Sequence, residues 1–229
     1  MWRLLLALLF LLPGSARADS LRVPVSADEI TQGDTGQPNI ALVFNVGAGF
    51  EPATSILDTL AAHNQRATFF VMGWWAAKNP DALKQIADAG HEIASHGDHV
   101  FDLTQVGDDQ VRGDLEQADS AISAVTGRTT RPLWSPSAGY RDARVRNIAA
   151  SLGYRPILWT VDSGDWTQEA TAESVYSHIV NGARNGAIIV LHYDSPTSQL
   201  STGAVLGAAI DDLRASGYRL TTITELVGQ

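Results

Sequence analysis

The sequence predicts an α/β fold, a distorted (β/α)7-type barrel of parallel strands. Two observations carry this. Short apolar runs alternate with longer stretches of helical periodicity, about seven times over about 190 residues. The His, Asp and Trp residues also gather just past the apolar runs, at the end of each strand where parallel barrels keep their chemistry.

The elements follow in order. Ile40–Phe44 is an unbroken apolar run and reads as a buried strand. Pro52 to His63 places Ile56, Leu57, Leu60 and Ala61 at helical spacing. Ala67–Met72 is the second strand. Pro80 to Ala89 is a helix with proline in its first turn, stopped by Gly90. His91–Ser95 is the third strand. An amphipathic helix over about 108–125 ends at Gly127, and Pro132–Trp134 follows as a short strand. Arg141 to Leu152 is helical, Pro156–Val161 a strand, Ala170 to Asn181 a helix and Ala187–Leu191 a strand. A helix over about 203–216 turns at Gly217 into the last strand, Tyr218–Thr222.

The organisation outside these units is simple. Residues 1–18 have a basic start, the apolar run Leu4–Leu12 and a small-x-small end at Ala16-Arg17-Ala18, the layout of a secretory signal peptide. The apolar run is about half of the ~20 residues that span a bilayer. Residues 19–38 read as a polar leader wrapping the domain, and 39–229 as the domain itself. The expected location is outside the cytoplasm: secreted, periplasmic or wall-associated. There is no cysteine, so disulfides, thiol catalysis and thiolate metal sites are excluded. The formal charge of −9 falls to about −11 without Arg3 and Arg17, and no Lys/Arg cluster offers a nucleic-acid surface.

Five segments at the strand ends have a familiar order. They are Ala67-Thr-Phe-Phe-Val-Met-Gly73, Gly90-His-Glu-Ile-Ala-Ser-His96, Asp102-Leu-Thr104, Asp162-x-x-Asp165-Trp166 and Val190-Leu-His192. Over about residues 38–226 the chain resembles the NodB-homology polysaccharide deacetylases, carbohydrate esterase family 4. The resemblance implies a barrel of the glycoside hydrolase/deacetylase kind and hydrolysis of non-peptide carbon–nitrogen bonds in N-acetylated glycans or peptidoglycan. It also implies a divalent metal, often zinc, held by an Asp and two His, with a second Asp as general base and a late His as general acid.

Position by position, the chain departs from that set. Asn45 stands at the base position and Val46 at the metal-binding Asp. His96 matches the first metal His, Val100 stands where the second belongs, and His99 comes one residue early. Ser135 replaces the Arg that steadies the base. A single imidazole is too small a set for a catalytic ion, which needs about three protein ligands. A rebuilt metal site from His96, Asp98 and His99 is one reading; an inherited His96 beside solvated loop residues is the other. Asp165 and His192 are the remaining acid/base pair, or a structural hydrogen bond. Asn45, Ser135, Asp162, Trp134 and Trp166 are candidates for the sugar, with core packing as the alternative for the tryptophans. Two functions stay open: a hydrolase with an altered metal site or none, and a pseudoenzyme that binds glycan without cleaving it.

Overall fold

A computed structural model describes residues 25–49, 53–99 and 102–228. The expected signal peptide and the start of the leader lie outside these residues, as does Val100. Among the described residues no helix is long and apolar enough to cross a membrane.

Eight strands form one parallel sheet: β1 Asn39–Val46, β2 Thr68–Val71, β3 Glu92–Ser95, β4 Leu133–Trp134, β5 Arg155–Pro156, β6 Val161–Asp162, β7 Ile188–His192 and β8 Arg219–Thr221. The order is β5-β4-β3-β2-β1-β7-β6, with β8 paired to the start of β1. The two ends of this ladder, β5 and β6, are consecutive in sequence, so the sheet curls until residues 157–160 join them. Ile30 bridges Ile157 at that seam, so the end of the leader is part of the barrel wall. The expected strand over 156–161 is therefore two short strands. Helices pack outside: α1 Thr54–Ala62, α2 Gly73–Lys78, α3 Pro80–Asp88, α4 Asp108–Thr126, α5 Ala143–Ser151, α6 Ala172–Gly182, α7 Thr202–Ala215 and α8 Ile223–Val227. The short α2 and α8 were not expected.

Strand periodicity sorts the core. Alternate residues of a strand face opposite sides of the sheet. Ile40, Leu42, Phe44 and Val46 join Phe69, Val71, Ile189 and Leu191 in the layer under the helices. Ala41, Val43, Phe70, Ala94, Leu133, Ile157, Ile188 and Val190 fill the barrel interior. Each buried Val, Leu, Ile or Phe among them contributes about 1.5–3 kcal/mol, and the alanines less. At the bottom, the Glu92 carboxylate accepts from Thr68 Oγ1 (2.6 Å) and from the Ile223 and Thr224 N–H groups, which ties α8 under the barrel.

Candidate active site

The interior positions of β1 and β7, continued one step past the filled layer, arrive at Asn45 and His192, which are register partners. The same step past Ala94 and Ile157 arrives at His96 and Trp159. The ladder reaches this level: Tyr193 N–H donates to the Asn45 carbonyl (2.9 Å) and His96 N–H to the Val71 carbonyl (2.9 Å). These four side chains line a cleft of about 610 Å³ at the C-terminal ends of the strands, with Tyr140, Asp162 and Trp166 on its walls.

His192 and Asp165 meet as the sequence suggested. The fully buried Asp165 accepts from His192 Nδ1 (2.8 Å), from the His192 N–H (2.9 Å) and from Thr202 Oγ1 (2.7 Å). A carboxylate only accepts, so the His192 proton sits on Nδ1 and Nε2 is left as the proton-handling atom. Such a pair can accept or deliver a proton.

His96 is buried, and its Nδ1 lies 2.8 Å from the Ser135 carbonyl, which fixes that nitrogen as the donor. Burial pulls its pKa down to about 4, aided by His192 and opposed by the Ser135 hydrogen bond. His96 is thus neutral at physiological pH, with a lone pair on Nε2. Asn45 Oδ1 is buried without a hydrogen-bond partner among the described residues.

The remaining expectations divide. Asp162 and Trp166 sit together on the cleft wall, Trp166 Nε1 donating to Asp162 Oδ1 (3.3 Å), and the indole is half exposed. Trp134 is corrected: Leu133 faces inward, so Trp134 faces outward, wholly buried with Leu115, Val145 and Tyr154. Ser135 is buried and acts through its carbonyl, not through a hydroxyl in the cleft. The proposed metal trio is corrected too. Gly97, at φ +79°, turns the chain away after His96. Asp98 then pairs with His99 Nδ1 (2.6 Å), and His99 N–H donates to Asp114 beside α4, outside the cleft. Among the described residues no group of three His, Asp or Glu side chains is placed to hold a metal ion. The residues present therefore do not fit the divalent ion that the sequence motifs imply.

Sequence reasoning gave no role to Asp194 or Tyr140. The Asp194 carboxylate accepts from the N–H groups of Gly47, Ala48 and Gly49 at 3.0–3.1 Å, which pins the turn bordering the cleft. Burial raises its pKa, against the lowering effect of those three donors. The Gly47-Ala-Gly49 run, set against an acid just past β7, was the available signal. Tyr140 had none.

A family profile described as polysaccharide deacetylase matches residues 32–157. The peptidoglycan-N-acetylmuramic acid deacetylase PdaA of Bacillus subtilis is 30% identical over 87% of this chain and 75% of its own length. The chain belongs to the polysaccharide deacetylase family. The family is one of hydrolases that act on the carbon–nitrogen bonds of N-acetyl groups. The structure of PdaA superposes with a TM-score of 0.80, at 30% identity over 87% of this chain and 85% of that one. A family 4 carbohydrate esterase pseudoenzyme from Bacillus anthracis superposes with a TM-score of 0.81, at 29% identity over 88% of this chain and 69% of that one. The uncharacterized protein YlxY of Bacillus subtilis is 31% identical over 88% of this chain, which spans 61% of its length.

Proposed function

We propose that this family member is exported and holds a polysaccharide of 2-amino sugars, peptidoglycan or a chitin-type strand, in the cleft at the barrel mouth. One observation supports this above the others: Tyr140, Trp159 and Trp166 wall a cleft whose floor, Asn45 and His96, is neutral. Indole and phenol faces pack on the C–H faces of sugar rings, and neutral polar groups bond hydroxyls without the cost of stripping a charge of water. The supporting test is calorimetric binding of chitin oligomers and soluble peptidoglycan fragments. Binding that weakens at least about tenfold in Trp166→Ala is expected; absence of binding to any of them removes the reading.

Hydrolysis of the N-acetyl bond is the second reading, and the Asp165–His192 pair favours it. His192 has a free Nε2 at the cleft and a carboxylate to steady the imidazolium. Water activation would have to come from the imidazoles of the cleft, because Asn45 takes up no proton near neutral pH. Acetate released from the same oligomers, and lost in His192→Ala, is the expected sign. Release unchanged in His192→Ala excludes this route. Export is read from residues 1–18; a mature chain that begins at Asp19 supports it, and one that retains Met1 refutes it.

A further inference from the structure

The cleft offers unprotonated ring nitrogens and a carboxylate, and among the described residues its only side-chain donors are neutral hydroxyl, amide and indole groups. Asp165 and the Ser135 carbonyl hold the protons of His192 and His96 on Nδ1, so both rings present Nε2 lone pairs. The Asn45 Oδ1 is buried and unpartnered, and its carboxamide can present either end. The Asp162 carboxylate stands on the wall. In the turn that borders the cleft, the N–H groups of Gly47, Ala48 and Gly49 are engaged by Asp194. Among the described residues, no Lys or Arg lines it.

An acetamide is a poor match to this arrangement. Its carbonyl needs donors or a cation, and the metal that would supply one has no ligand set here. An ammonium group is the better match. It has three N–H donors for the two imidazole lone pairs and the Asp162 carboxylate, and its charge is favoured by that carboxylate and by the faces of Tyr140, Trp159 and Trp166. We propose that the cleft recognises the 2-ammonium group of a sugar that has already lost its acetyl group, a glucosamine unit within the glycan, in preference to the 2-acetamido group. The inference rests on the reading that the cleft holds an amino-sugar polysaccharide. It would make the chain a reader of deacetylated strands, the product of the reaction its family performs.

The test is calorimetry on the whole protein at mildly acid pH, with a chitin hexamer fully acetylated and the same hexamer fully deacetylated. The deacetylated oligomer is expected to bind at least about tenfold tighter. The preference should shrink in Asp162→Asn and with added salt. Equal binding, or tighter binding of the acetylated oligomer, overturns the inference and leaves the glycan reading standing. Failure of both oligomers to bind overturns the two together. The chain has a net charge of −9, so a lysine oligomer of equal charge is the control. If it binds as tightly as the deacetylated sugar, the preference is only bulk attraction and the inference fails.

Discussion

Asp165 touches three donors at once, and an asparagine there can satisfy only some of them. Its single carbonyl oxygen can take either the His192 side chain or the His192 N–H with Thr202 Oγ1, leaving an amide N–H pointed at another donor. A buried donor without an acceptor costs about 1–3 kcal/mol. Asp165→Asn is therefore expected to lower the unfolding free energy from urea melts by that amount, with a lower midpoint, and to move the His192 proton to Nε2, visible in the nitrogen shifts of the imidazole. An unchanged midpoint with an unchanged tautomer would show that the pair holds neither ring nor fold. Asp114 makes stability depend on pH. Burial raises its pKa from an ordinary 3.8 to about 6, despite hydrogen bonds from the Asp98 and His99 backbone. The native state holds that proton more tightly than the unfolded chain. Stability from this group is therefore full below 3.8 and is lost as pH rises through about 6, by on the order of 3 kcal/mol. Asp114→Asn keeps an acceptor for the His99 N–H and carries no charge. Relative to the parent it should gain stability as pH rises from about 4 through about 6 and level off above that in paired urea melts, and a constant difference would remove the argument.

At the scale of elements, the turn after β1 and the turn after β7 are one device. Asp194 gathers three successive N–H groups, and the chain can wrap the carboxylate only because residues 47 and 49 lack side chains. Gly47 sits at φ +123°, and a Cβ on Gly49 would lie 1.9 Å from the Asp194 carbonyl oxygen. That clash is with backbone, so no rotamer change relieves it. Gly49→Ala should cost about 1–3 kcal/mol and weaken glycan binding as well, since the turn borders the cleft. Thr222→Ala makes the control. It breaks the capping box of α8 under the barrel and should cost about 1 kcal/mol with binding intact. Parallel losses of binding in both variants would mean that the turn has no special link to the site. The elements also show why parts of the chain were legible. Strands of alternating parity such as β1 and β7 could be read from their apolar runs, because both faces are buried. The run 156–161 reads as one strand because Ile157, Leu158 and Trp159 are apolar for a different reason, at the seam where Ile157 bridges Ile30. The final α8 was missed although its capping box, Thr222 with Glu225, stands in the sequence.

Across the whole molecule, the fold and the site were legible to different degrees because they depend on different numbers of residues. The barrel rests on scores of buried side chains, and no single substitution hides it. The site rests on a few positions, and the chain turn at Gly97 or the parity of Trp134 moves a candidate out of reach. Parity was available to the reader of the sequence: with Leu133 inward, its neighbour must face out. The direction of the loop after His96 was not, since it depends on Asp98 and Asp114 meeting that loop from α4's side of the barrel. The same sparseness lets the metal question be tested by restoration. Val46 is wholly buried and borders the cleft beside His96, so an aspartate there is a buried charge unless a cation meets it. Val46→Asp alone should destabilise the protein and gain little from zinc, because only His96 joins it. Val46→Asp with Val100→His restores the one Asp and two His that the family resemblance calls for. This double variant should be the less stable of the pair without metal and should gain about 2.7 kcal/mol when zinc is present at 100 times its dissociation constant. Thermal melts with and without zinc, together with metal analysis of the dialysed protein, read both effects. Stoichiometric zinc with a matching stabilisation in the unaltered protein would overturn the conclusion that the described residues lack a metal site.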